Sequence, residues 1–207
     1  MAISTLRLAG AILFAAAGAV GQANASVIPY PNIGTENPTL YSFTAASSGD
    51  VVAYFFHQDA AYTNEISLLV NGVPTGIQGL NNHASAYGAV LNLGSVTAGD
   101  TLVYQLLNIN PGNVGPWYSD KVLNSDGFNH IYSTAFGGDA FIPAGTYIGF
   151  EDLQGGGDRD YNDEEFVITF VPGRIPDLDS VPEPSALALF GMALLSLAGL
   201  GVMRRRA

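Results

Sequence analysis

Between Thr39 and Val171 the chain is a series of short apolar or alternating runs, separated by clusters of Gly, Pro, Asn, Asp and Ser, and no stretch holds a helical period. Eight runs read as strands: Thr39 to Thr44, Asp50 to His57, Ile66 to Val70, Ala86 to Leu93, Thr101 to Leu107, Asn129 to Phe136, Gly145 to Glu151 and Glu165 to Val171. Turn signals stand between them, among them Ser48-Gly49-Asp50, Asn71-Gly72, Ala98-Gly99-Asp100, Ser125-Asp126-Gly127 and Pro143-Ala144-Gly145. Asn71-Gly72 is the sharpest of these, because a type I′ hairpin turn needs φ > 0 at two successive residues and this pair tolerates it. Short strands at such spacing, without helices between them, predict an all-β fold. We expect an antiparallel β-sandwich, jelly-roll-like in strand count.

The pattern changes at both ends. Met1 to Arg7 carries one positive charge, Leu8 to Val20 is apolar, and Ala23-Asn24-Ala25 precedes Ser26 as a small-residue cleavage signal. That order predicts a secretory signal peptide with its helix over residues 1–25. At the other end, Pro172 to Val181 (PGRIPDLDSV) is too proline-rich to continue a sheet and reads as a linker. Pro182-Glu183-Pro184 follows, then an uncharged run of 19 residues from Ser185 to Met203, then Arg204, Arg205 and Arg206. As a helix that run is about 28 Å long, which matches a bilayer core of roughly 30 Å. The arginines should stay on the cytoplasmic side and leave the body of the protein outside. The expected order is therefore a signal peptide (1–25), one β-sandwich domain (26–171), a linker with a Pro-Glu-Pro element (172–184), a transmembrane helix (185–203) and a cytoplasmic arginine tail (204–207).

The tail resembles the PEP-CTERM class of exported Gram-negative proteins, on the strength of Pro182, Glu183 and Pro184, the apolar span, and Arg204 to Arg206. The resemblance implies sorting by an exosortase-type membrane protease. It also implies initial anchoring in the inner membrane, a later position at the cell surface or outside it, and a link to exopolysaccharide and biofilm. The plain alternative is a single-span anchor that is never processed.

Charge narrows the function further. Setting aside Arg7, Glu183 and the three terminal arginines, the mature part has 3 basic and 17 acidic residues, a net of −14. It has no basic patch for phosphates, so nucleic acid is excluded as a partner and cations are the natural complement. The chain has no cysteine, which removes thiol catalysis, thiolate metal sites and disulfides. Seven carboxylates fall between Glu151 and Glu165, with Arg159 as the single offset. Like charges this close repel unless a cation sits among them, and calcium accepts six to eight oxygens at about 2.3 to 2.6 Å.

Asp158-x-Asp160-x-Asn162 repeats the first, third and fifth ligand positions of an EF-hand loop. Asp163 then occupies the place of the loop's glycine, so the segment is not an EF-hand. Gly155-Gly156-Gly157 lets the chain fold back so that Glu151 or Asp152 can complete the shell. The candidate calcium ligands are therefore Glu151, Asp152, Asp158, Asp160, Asn162 and Asp163. The run Gly149 to Leu153 followed by Asp158 to Asp163, with Asp126-Gly127-Phe128-Asn129-His130 upstream, resembles the DUF4114 domain. That resemblance implies a β-sandwich with a calcium site and no established activity.

Other chemistry is thin. His57, His83 and His130 show no zinc-ligand spacing, no Gly-x-Ser-x-Gly elbow exposes a nucleophile, and Asp59 with Glu65 is an unforced carboxylate pair. No catalytic residue is expected. His130 beside Asp126 is placed to orient the acidic loop. Trp117 and Tyr118, after Gly115-Pro116, form either an aromatic platform for a sugar ring or part of the core. The sequence thus supports a calcium-stabilised surface or matrix protein, with a calcium-dependent polysaccharide-binding module as the alternative. A matrix hydrolase is the least supported reading.

Overall fold

In a computed structural model the described residues are 28–110 and 115–172. The expected signal segment, the expected span, the residues expected to direct sorting, Pro182, Glu183 and Pro184, and the arginines Arg204, Arg205 and Arg206 lie outside them. Among the described residues no helix is long and apolar enough to cross a membrane. Over the described residues the secondary structure is ten strands and one 3₁₀ turn: β1 (Phe43–Thr44), β2 (Gly49–His57), β3 (Asn64–Val70), β4 (Val73–Gly79), β5 (Val90–Val96), β6 (Thr101–Asn108), β7 (Trp117–Tyr118), the turn Lys121–Leu123, β8 (Ile131–Phe136), β9 (Gly145–Phe150) and β10 (Glu164–Pro172).

The strands form two antiparallel sheets. One runs β1-β6-β3-β4, with β7 pairing on β6; the other runs β5-β2-β10-β9-β8. A single hydrophobic cluster lies between them. Ile66, Leu68, Leu102, Tyr104 and Leu106 come from the first sheet, and Val51, Ala53, Phe55, Ile148, Phe150, Phe166 and Ile168 from the second. Residues at i, i+2 and i+4 of each strand supply these side chains, which is the period-2 pattern that a sandwich needs.

The second sheet is covered on its other face too, where Phe56, Ile142, Tyr147 and Val167 pack with Tyr54, Tyr87, Tyr132 and Phe136. Burial on both faces explains why β10 reads as an almost unbroken apolar run, Phe166 to Val171, rather than an alternating one.

The eight expected strands are all present with shifted ends. Strand β10 runs one residue beyond the expected boundary, to Pro172, which pairs with Gly49. Asn71 (φ 51°) and Gly72 (φ 79°) form the expected two-residue turn, with Val70 opposite Val73. Two strands were not expected. Strand β4, VPTGIQG, carries Pro74 and Gly76 and is mostly exposed. Proline is tolerated there because β4 is the edge of its sheet, where an N–H need not be donated to a neighbour. Strand β7 is only two residues long.

Candidate metal centre

The acidic segment joins two adjacent strands. Strand β9 ends at Phe150, β10 begins at Glu164, and these two residues lie opposite each other in the ladder. The thirteen residues between them, 151–163, make a tight excursion whose backbone is left-handed at Gly155, Gly156, Gly157, Arg159 and Tyr161. At Gly156 glycine is required twice over. Its φ is +73°, and a Cβ there would run into the Phe128 ring.

Tyr161 anchors the far side of the excursion. Its ring is buried edge-on against Tyr30, with centroids 4.7 Å apart, and its hydroxyl donates to the Asn129 carbonyl (3.0 Å) while accepting from the Asn37 amide (2.8 Å). Its own amide donates to Glu151 Oε1 at 2.6 Å.

Carboxylate oxygens of Glu151, Asp158 and Asp160 all lie within 4.8 Å of one another. An ion about 2.4 Å from each oxygen fits that separation, so the triad could hold a metal. Glu151 is fully buried, and its second oxygen, Oε2, has no hydrogen-bond partner among the described residues; Asp160 Oδ1 is likewise buried and unpartnered among them. Burial pushes the Glu151 carboxyl up to about 8 despite the Tyr161 amide, and Asp163, Asp158 and Asp160 add repulsion. Asp160 is raised as well, first by burial and then by Asp158. Leaving buried acceptors without donors costs free energy, and an ion would supply the missing partner.

The other three expected ligands sit beside the triad. Asn162 donates from Nδ2 to Asp160 Oδ2 at 2.7 Å. Asp152 accepts from Asn64 Nδ2 through its carboxylate (2.7 Å) and from Trp117 Nε1 through its carbonyl (2.7 Å). Asp163 Oδ2 accepts the Asp152 amide at 2.8 Å; burial, then Asp152, push its carboxyl up to about 7. These contacts brace the two ends of the excursion against each other and against the opposite sheet.

His130 and Trp117 form a second brace. The rings stack with centroids 3.9 Å apart and planes within 10°. His130 Nδ1 lies 2.8 Å from the Glu151 carbonyl and Nε2 3.1 Å from Asp126 Oδ2, which also accepts the Gly155 amide at 2.7 Å. Both ring nitrogens face acceptors, which suits an imidazolium, while burial pulls the ring toward its neutral form. His130 thus orients the acidic excursion, as its place beside Asp126 suggested.

Trp117 is 1% exposed. Of its two readings the structure selects the core, and no sugar platform forms on that ring. Among the described residues the three histidines do not come together as metal ligands.

Sequence reasoning did not single out Glu164, and it treated Glu165 only as the start of a strand. Both are 0% exposed. Burial drives Glu164 well up from the usual carboxylate range and Glu165 to about 8. A signal was available in hindsight of chemistry alone: two glutamates open a strand that is buried on both faces, so each must point into one of the two interiors.

The model of a domain of unknown function, DUF4114, matches residues 66–171, from the middle of β3 to the end of β10 and just over half of the chain. No curated protein matches the chain at a significant level.

Proposed function

Because the chain belongs to the DUF4114 family, for which no function is defined, we propose a role from its own residues: a calcium-stabilised, non-catalytic β-sandwich, exported and held at the cell surface or in the extracellular matrix. The observation that carries this reading is the buried, partnerless Glu151 Oε2 beside the oxygens of Asp158 and Asp160. All three ligands are hard carboxylate oxygens, and no nitrogen or sulfur donor joins them, which favours calcium or magnesium over zinc or copper. Calcium is the better match of the two. It tolerates irregular coordination from a loop, whereas magnesium demands a near-ideal octahedron at about 2.0 to 2.1 Å.

The ion's work is structural in this reading. It ties the end of β9 to the start of β10, which stand at the centre of the second sheet. Export, the exosortase-type partner and the link to exopolysaccharide rest on the terminal segments, and the non-catalytic reading rests on the sequence, which offers no Gly-x-Ser-x-Gly elbow and only the unforced pair Asp59 and Glu65. The polysaccharide-binding alternative is the weaker reading, since Trp117 is in the core.

Thermal melting of the full chain in calcium and in chelator tests the ion. With an extracellular-type Kd of about 10⁻⁴ to 10⁻³ M, calcium at 100 times Kd stabilises the folded state by about 2.7 kcal/mol. For a domain of this size that is a rise of roughly 5 to 10 °C in Tm. Glu151→Gln with Asp158→Asn should remove the triad's share of the response; a double variant that still responds in full would place the ion elsewhere. For sorting, alanines at Pro182, Glu183 and Pro184 should leave membrane insertion intact and stop processing in the native host. Unchanged processing would reduce the tail to an anchor.

A further inference from the structure

We propose a second divalent-cation site, distinct from the Glu151, Asp158 and Asp160 triad, at the end of the inter-sheet core, formed by Glu164, Asp152 and the Oδ1 oxygen of Asn64. It extends the reading of this domain as an ion-stabilised sandwich but rests on different residues.

The strand register places the groups. On β10, Glu164 precedes the core residues Phe166 and Ile168 at a spacing of two, and in the ladder with β9 it lies opposite Phe150, itself in the core. No bulge interrupts that ladder, so Glu164 points between the sheets. On β3, Asn64 stands two residues before Ile66 and four before Leu68, both in the same core. Asn64 therefore points inward from the opposite sheet. Asp152 closes the gap, for its carboxylate accepts from Asn64 Nδ2 at 2.7 Å.

The interior here is rich in acceptors and short of donors. Glu164 is 0% exposed and among the described residues neither of its oxygens has a partner; Asn64, also 0% exposed, likewise has its Oδ1 unpartnered among them. After burial itself, the groups that act most on Glu164 are further acids, Asp152, Glu65 and Asp163. No lysine or arginine is among them. A buried carboxylate surrounded by carboxylates must either carry a proton or share a cation. A water molecule would meet the hydrogen-bonding need but leave the charge. A divalent ion meets both, and hard oxygens from two carboxylates and one amide are the donor set that calcium accepts. Bound there, the ion would join the two layers directly, Asn64 from one sheet and Glu164 from the other. The triad acts within one sheet, between β9 and β10.

Counting bound calcium in the full chain, by equilibrium dialysis with metal analysis or by native mass spectrometry, separates the two sites. The wild type should hold two equivalents. Glu164→Gln should hold one, and Glu151→Gln with Asp158→Asn should also hold one. A wild type with a single equivalent that Glu164→Gln retains would overturn the second site and leave the triad standing. Two equivalents retained by Glu164→Gln would also overturn it, and a wild type with none would remove both sites, leaving Glu164 a neutral buried acid. Asn64→Asp provides an arm that does not depend on the fold tolerating a change at Glu164. By adding a charge to the proposed cradle it should tighten the second equivalent by about tenfold or more, and unchanged affinity for both equivalents would speak against the site.

Discussion

The molecule has two populations of acids, and they differ in what surrounds them. Asp50, Asp100 and Asp139 lie at the surface and are saturated with donors. Asp50 accepts from Asn92 Nδ2 and Ser95 Oγ, Asp100 from the Thr97 amide and Asn71 Nδ2, and Asp139 from the Phe141 and Ile142 amides and the Tyr87 hydroxyl. Those hydrogen bonds hold each of the three below the ordinary carboxylate range. Several acids of 151–165 are the reverse. Glu151, Asp160 and Glu164 are buried or half-buried with oxygens that nothing among the described residues satisfies, and all three are pushed upward. The first population is finished by the chain itself; the second is complete only with a proton or an ion. Acid content alone says nothing about metal binding, and the supply of local donors separates a turn acid from a ligand.

The largest expected effect tests that contrast with pH. In chelator, the folded chain holds protons on Glu151 (about 8), Asp163 (about 7) and Glu165 (about 8) that the unfolded chain releases near the ordinary carboxylate values. The folded state binds more protons, so its stability is greatest below about pH 4.5 on account of these groups and falls as pH rises toward 8. Glu151 alone would contribute about 4 kcal/mol to that fall. The surface acids act oppositely, lending stability that disappears only as pH drops through their lowered values. Calcium competes with the protons at the buried group, so the calcium-dependent gain in Tm should grow from pH 5 to pH 8. A gain that is flat across that range would mean that the buried acids are not its ligands.

What could be read in the letters follows the same division. Local rules sufficed for the Asn71-Gly72 hairpin and for the central strands, because period-2 patterning and turn residues act within a few positions. They missed β4, whose Pro74 and Gly76 argue against a strand until its place at a sheet edge is known. They missed β7 because two residues carry no period. At the site, the Asp158-x-Asp160 spacing and the glycine triplet pointed to Asp158, Asp160 and Glu151. They could not set apart Asp152, one residue beyond Glu151, whose partners Asn64 and Trp117 are distant in sequence, or Asp163, three beyond Asp160, which accepts the Asp152 amide. Which of the two interiors Glu164 enters was hidden for the same reason, being decided by pairing with β9 and by the opposite sheet. Trp117 likewise stayed open between core and platform, because its acceptor, the Asp152 carbonyl, lies 35 residues away.

Two glycines sharpen the comparison from the backbone side, with smaller expected effects. Gly156→Ala puts a methyl group into the Phe128 ring at a left-handed position in the acidic excursion. Strain and overpacking together should cost about 3 kcal/mol. Because Phe128 packs with Tyr161 and Tyr30, the loss should weaken calcium binding as well as lower Tm. Gly99→Ala makes the same change in the turn that Asp100 closes. Its φ is +92°, but nothing lies within 4 Å of the added carbon. Only the left-handed penalty remains, about 1 kcal/mol. The Asp100 contacts to Thr97 and Asn71 do not depend on an ion, so this variant should lose the same stability in calcium and in chelator. Melting both variants in the two buffers therefore asks whether the acidic excursion differs from an ordinary acid-capped turn in its dependence on a cation. Equal calcium responses in Gly156→Ala and Gly99→Ala would mean that the loop geometry held by Phe128 does not shape the ion's ligands.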